Sequence, residues 1–247
     1  MSADHFSAVA GQYAAFRPDY PPALFDWLAS LVQQHELAWD CGAGSGQATV
    51  PLAERFAHVV ATDISTAQLG GAPALPNVTY RIAPAEDGGL PDASCDLVTV
   101  AQAMHWFNLP QFYAEVQRVL KPQGAFVAWG YNRLLVQDAK IQTAVDRFYR
   151  ETVGPYWPPE RVIVESGYRD LPFPFARLTT PSFSLEKNWP LEHLTGYLRS
   201  WSAVARYQAA NGHDPVALLA QELAALWPQG QSLAIEWPLF VHAGKMD

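Results

Sequence analysis

The sequence predicts an α/β fold built on a mostly parallel sheet with helices on both of its faces. Three observations carry this. Apolar residues alternate between helical and strand spacing along the first half, a glycine-rich turn joins a strand to a helix, and an acidic residue closes the next strand. With 247 residues, 49% of them apolar, the chain is long enough to bury a full core as one domain.

The elements follow in order. After the Pro21-Pro22 pair, Leu24, Phe25, Leu28, Leu31 and Val32 recur at helical spacing. They predict a helix that ends near His35, with proline in a first turn that has no N–H to lose. A strand over 37–40 enters the glycine turn, a helix runs through Leu52, Ala53 and Phe56, and a second strand covers 58–62. Further strands are predicted over 78–82, 96–101 and 124–129. A helix carrying Phe112, Val116, Val119 and Leu120 ends at a Lys121-Pro122-Gln123-Gly124 turn before the last of these.

Beyond Tyr131, prolines and aromatics cluster over 154–159 and 171–175, and 131–175 reads as a lid insertion. Strands over 176–181 and 233–241, with helices near 190–201 and 214–226, complete a seven-stranded sheet. The expected organisation is one domain over 1–247: a core over 1–130, the lid over 131–175, and final strands and cap helices over 176–247.

The formal net charge of −8 argues against a duplex nucleic acid partner, whose phosphates need a basic face. No apolar run approaches a membrane-spanning length and the first residues lack the pattern of a secretory signal, so a cytoplasmic protein without membrane contact is expected. Cys41 and Cys95 form no CxxC pair and the seven histidines no metal-ligand spacing, so reduced thiols and no metal are expected. A monomer or homodimer is the expected state.

The chemistry sits at Asp40-Cys41-Gly42-Ala43-Gly44-Ser45-Gly46-Gln47, between predicted strand and helix. Glycines at alternate positions let the backbone turn sharply and approach a ligand, because no Cβ intervenes. Asp63, ending the next strand, is placed to accept hydrogen bonds from both ribose hydroxyls of an adenosine. A dinucleotide fingerprint reads GxGxxG, whereas this turn reads GxGxG behind an acid, with Gln47 where the third glycine would stand. The acid suits an ammonium better than a pyrophosphate, and S-adenosylmethionine offers one that Asp40 and nearby carbonyls would hold.

Four segments extend this reading: Tyr13-x-x-x-Arg17-Pro18-x-Tyr20-Pro21, the glycine turn, Ala85-Glu86-Asp87, and Gln102-Ala103-Met104-His105-Trp106-Phe107. With them the chain resembles the Rossmann-like class I S-adenosylmethionine-dependent methyltransferases, in the type 11 branch with trans-aconitate methyltransferase relatives. The resemblance covers roughly the first half. It implies S-adenosylmethionine as cofactor, with Asp63 on the ribose, Ile64 packed on the adenine and Ala85-Glu86 at the adenine edge. It further implies that Asp40, Gly42, Gly44 and Gly46 line the methionine part, and that Ala101 and Gln102 to Trp106 flank the sulfonium and the incoming acceptor.

Two residues depart from expectation. Pro51 lies inside the helix after the glycine turn, predicting a late start or a kink there. Trp39 is bulkier than the aliphatic residue such first strands usually carry. Among secondary candidates, Tyr13 and Arg17 are spaced to share a helical face, and Arg17 would pair with a cofactor or acceptor carboxylate. His105 is the candidate general base, with a packed histidine as the alternative. Residues 197–207, with Arg199, Trp201 and Arg206, read either as a cap over the acceptor or as an amphipathic helix facing the core; Tyr156 and Trp157 line a lid or brace a long connection.

The expected activity is methyl transfer to a small-molecule acceptor, preferably on oxygen and with a carboxylate on the acceptor. Tyr13, Arg17, Tyr20, Trp106, Arg199 and Trp201 are the acceptor-binding candidates. The alternatives are a nicotinamide-dependent oxidoreductase, which the loop spacing disfavours, and a noncatalytic adenosylmethionine-binding protein.

Overall fold

The computed structural model describes residues 18–246. Its elements are α1 (Pro22–Ser30), β1 (Leu37–Cys41), α2 (Thr49–Ala53), β2 (His58–Asp63), α3 (Thr66–Leu69), β3 (Val78–Ile82), β4 (Cys95–Ala101), α4 (Leu109–Val119) and β5 (Leu120–Tyr131), followed by β6 (Leu135–Val136), α5 (Ala139–Arg147) and α6 (Arg161–Glu165). The chain then forms β7 (Ala176–Arg177), β8 (Ser184–Trp189), α7 (Leu191–Arg199), α8 (Ser202–Asn211), α9 (Val216–Leu226) and β9 (Leu233–Lys245).

Strands β3-β2-β1-β4-β5 pair in parallel, and β9 runs antiparallel against β5. The order reverses between β1 and β4, and in such sheets a ligand lies outside the carboxyl ends of the strands at that point. β1 and β4 are buried on both faces apart from their first or last residue, which is why they read as continuous apolar runs rather than alternating ones. One polar residue at their margins, Asp96, is satisfied. Asp96 accepts from the N–H groups of Glu36 and Leu37 at 2.9 and 3.0 Å and pairs with Lys121 at 2.9 Å.

The fold class is as the sequence predicts, and the differences have local causes. The first helix ends at Ser30 rather than near His35, because Leu31 and Val32 close tight turns onto Leu28 and Ala29. α2 starts late, at Thr49, so Pro51 falls in the first turn, where its missing N–H costs little. The Lys121-Gly124 turn is a bulge inside β5: Leu120 faces Cys95, but the next pair in register is Ala125 with Leu97, and Gln123 has φ +66°.

Among the described residues nine strands form where seven were expected. β6 is only two residues long, and β8 buries just Leu185 and Trp189 along a polar stretch. β9 bridges the extra strands to the main sheet, pairing with β8 through Leu233–Pro238 and with β5 through Leu239–Lys245. The cap segment is two helices rather than one, broken where Trp201 turns extended at ψ 135°. Cys41 and Cys95 are free and buried. Among the described residues no helix is long and apolar enough to cross a membrane, and no His, Cys, Asp and Glu cluster is placed to hold a metal ion.

Candidate functional site

The glycine turn lies between β1 and α2, pinned to the end of β2. Gly42 and Ala43 donate to the Thr62 carbonyl at 2.8 and 2.9 Å, and Gly44 N donates to Asp63 Oδ2 at 2.9 Å. Gly42, Gly44 and Gly46 all have positive φ. At Gly42 the requirement is twofold: φ is +71°, and a Cβ would sit 2.6 Å from the Ala103 Cβ. The turn is thereby pressed against the segment that follows β4.

Asp63 is half-buried, and its second oxygen accepts from Ser65 N at 2.8 Å. Each oxygen takes one backbone N–H and keeps a further lone pair, which is what two ribose hydroxyls need. Beside it Ile64 is 55% exposed, and Ile82, the register partner of Asp63 on β3, is 63% exposed. Large aliphatic side chains flanking an oriented carboxylate offer a surface for a flat apolar ring. No local pattern singles out Ile82, which only the strand pairing brings there. Ala85 is buried, while Glu86 accepts from Asn108 N at 2.7 Å and so ties the segment after β3 to the start of α4.

Asp40 lies under the turn rather than on its open face. It is fully buried, accepts from Thr49 Oγ1 at 2.6 Å and Thr99 Oγ1 at 3.3 Å, and burial pushes its carboxyl up to about 6 against these opposing bonds. Neither threonine carried a sequence signal. The bulk of Trp39 is absorbed at Gly88, where a Cβ would lie 2.6 Å from the indole, and Trp39 Nε1 donates to Thr62 Oγ1 at 2.9 Å.

At the end of β4, Ala101 faces Trp129 of β5, and Gln102 adopts φ +57°, with its amide donating to Tyr131 O at 3.1 Å. His105 Nδ1 lies 2.8 Å from the Tyr168 hydroxyl. Burial first, and the Arg161 charge second, push the His105 imidazole down to about 4. Burial holds the Tyr168 phenol well above its usual range. The contact with Tyr168 engages His105 Nδ1.

The remaining expected residues are dispersed. Trp106 is half-buried one position after His105, the two rings 4.8 Å apart. Tyr20 packs edge-on against Trp129, with ring centroids 5.7 Å apart, at the sheet end of the core. Trp201 joins a cluster with Tyr149 and Trp157, at 5.6 and 5.5 Å. Arg199 Nε pairs with Asp214 at 2.8 Å. Tyr13 and Arg17 lie outside the described residues.

Fold and turn together define a Rossmann-like protein with a site for an adenosine-bearing, ammonium-bearing cofactor. The model of the methyltransferase domain family matches residues 39–128, which hold the glycine turn, Asp63 and the segment after β4. A candidate methyltransferase of Dictyostelium discoideum is 38% identical over 99% of this chain and 95% of its own length. An uncharacterised methyltransferase of Mycobacterium tuberculosis is 41% identical over 48% of this chain and 49% of its own. The solved structure of a candidate type II methyltransferase from Anaeromyxobacter dehalogenans superposes with a TM-score of 0.88 at 47% identity, covering 93% of this chain and 98% of the other. The chain belongs to the class I S-adenosylmethionine-dependent methyltransferase family, and S-adenosylmethionine is its cofactor.

Proposed function

We propose that the protein methylates a carboxylate oxygen of a small acceptor. Bound S-adenosylmethionine supplies an electrophilic methyl group, which passes in line to the acceptor oxygen as the carbon–sulfur bond breaks with its electron pair going to sulfur. The observation that carries the proposal is the state of His105. A histidine whose imidazole is pushed down to about 4, with Nδ1 engaged by the Tyr168 hydroxyl, is a poor proton acceptor. A carboxylate is already ionised in water and needs no base, whereas an alcohol or ammonium acceptor does. Alignment then supplies much of the rate.

Asp63 is read as the ribose ligand, Ile64 and Ile82 as the adenine platform, Ala85 and Glu86 as the adenine edge, and Gln102 as the strained residue that sets the floor beside the sulfonium. The net charge of −8 supports a small acceptor over a nucleic acid. The test is a screen of acids, alcohols and amines with methyl-labelled cofactor, followed by alkali. Label released as methanol from acid acceptors is expected; label fixed in an alkali-stable amine or ether sinks the proposal.

The His105 assignment makes its own prediction. Its charge does not change between pH 5 and pH 9, so kcat should show no inflection near 6.5, and His105→Asn should cost no more than about tenfold. An inflection near 6.5 that disappears in His105→Asn would restore the general base.

Asp40 makes another. Its folded pKa lies above the ordinary 3.8, so the stability held by the neutral carboxyl is present below pH 4 and lost as pH rises through about 6. Unliganded Asp40→Asn, which does not titrate, should therefore gain roughly 3 kcal/mol on the wild type across that window in denaturant titrations. Cofactor binding reverses the preference, because an ammonium above the turn favours the carboxylate beneath it. Affinity of the wild type for S-adenosylhomocysteine should rise by up to about tenfold per pH unit towards pH 6 and then level, while Asp40→Asn stays flat. Parallel pH dependence in the two proteins would remove Asp40 from cofactor binding.

A further inference from the structure

The lid carries a guanidinium that no cofactor role uses. Arg161 opens α6, which the chain reaches through the Pro158-Pro159 turn. Its guanidinium lies over Trp157 at 4.7 Å and over Tyr149 at 5.5 Å, and Nε donates to the Tyr149 hydroxyl at 2.8 Å. The Tyr149 hydroxyl in turn donates to Glu165, whose carboxylate lies 3.9 Å from Arg161 Nε, beyond hydrogen-bond distance. The side chain is only 20% exposed, yet Nη1 and Nη2 hydrogen-bond to none of the described residues. A largely buried guanidinium with one edge satisfied and its fork free is poised for a planar anion.

Its place is fixed from two sides. Asn132, just past the end of β5, donates to the Glu165 carbonyl at 3.0 Å, which docks the far end of α6 on that strand end. A few residues on, Tyr168 reaches His105 beyond the end of β4. The lid helix is thus anchored at the carboxyl ends of the two strands beside which the acceptor must lie, and the Arg161 charge is felt at His105. Arg199, one of the two arginines the cap offers by sequence, has its charge paired with the Asp214 carboxylate at 2.8 Å, whereas the carboxylate beside Arg161 stands at 3.9 Å.

We propose that Arg161 is the specificity-determining anchor of the acceptor site: Nη1 and Nη2 take the acceptor carboxylate, while Trp157 and Tyr149 hold the guanidinium plane in position. This deepens the carboxylate reading above and rests on it. A carboxylate has about four lone-pair sites, of which a guanidinium fork takes two, so an oxygen keeps a pair for the methyl group. The methyl ester is neutral and loses the charge-assisted pairing, which distinguishes product from substrate at the same residue.

The test uses the full chain loaded with S-adenosylhomocysteine and titrated calorimetrically with hexanoate, phenylacetate and adipate, and with the amide and methyl ester of each. The wild type should bind at least one acid about 10- to 100-fold tighter than its amide and ester. Arg161→Gln should abolish that preference. Arg161→Lys should keep a part of it, since the charge remains without the fork, and Tyr149→Phe should weaken it several-fold. Arg199→Gln should leave it intact. Equal binding of acid and amide by the wild type, no binding of any acid, or an acid preference that survives in Arg161→Gln would each overturn the proposal. Homocysteine-cofactor affinity separates the two readings: unchanged in Arg161→Gln, it shows an intact fold and cofactor site, and its absence in the wild type would instead strike at the cofactor site itself.

Discussion

Asp63→Ala is expected to weaken S-adenosylhomocysteine binding by about 10²- to 10⁴-fold, which isothermal titration of the purified protein measures directly. Two ribose hydroxyls donating to an ionised carboxylate contribute about 1.5–3 kcal/mol each. The loss has a second part, because Gly44 N and Ser65 N both donate to this side chain, and alanine leaves them without it. The glycine turn would then lose one of its ties to β2. Asp63→Asn, which keeps one acceptor oxygen but no charge, should fall between the two. An alanine variant that binds within tenfold of the wild type would mean that the ribose sits elsewhere, and the site assignment at the ends of β2 and β3 would go with it. NAD belongs in the same experiment, since its failure to compete is expected from a turn whose spacing does not cradle a pyrophosphate.

The cofactor half of the molecule was legible in the sequence because its determinants are local. A strand, a turn of alternate glycines, a helix and an acid ending the next strand occupy about 25 consecutive residues, and each feature has its own backbone requirement. The five parallel strands were legible for a related reason: β1 and β4, buried on both faces, are mostly apolar runs, interrupted only by polar residues that find partners, such as Asp40 and Asp96. What escaped depends on pairing at long range. β8 exists because the first half of β9 needs a partner, and its own residues, with Glu186 and Lys187 between the two buried side chains, carry a weak pattern. Ile82 comes beside Asp63 only through strand register, and Thr99 reaches Asp40 across two adjacent strands. The acceptor side was least legible. The cap arginines stood out by composition, yet Arg199 spends its charge on Asp214, while Arg161 is distinguished only by rings that the fold folds around it.

Gly42→Ala should be the most damaging single methyl group that can be added to this chain's cofactor site. At φ +71° an L side chain costs about 1–2 kcal/mol through the backbone alone. The new Cβ would also stand 2.6 Å from the Ala103 Cβ, which cannot move without its backbone, and 3.2 Å from Cζ at the outer end of the Phe107 ring. Relief requires the turn to move away from the segment after β4, and that movement carries it away from Gln102 and His105. A total of about 3 kcal/mol corresponds to a fall in Tm of roughly 6–12 °C for a domain of this size. The catalytic consequence should exceed the stability one, because a displacement of about 1 Å between methyl donor and acceptor costs on the order of 100-fold in rate. Ala103→Gly in the same chain removes the closer of the two contacts but not the backbone strain. The double variant should therefore regain part of the Tm and more of the rate. Failure of Ala103→Gly to restore either would show that the contact between the two segments does not set the geometry of transfer.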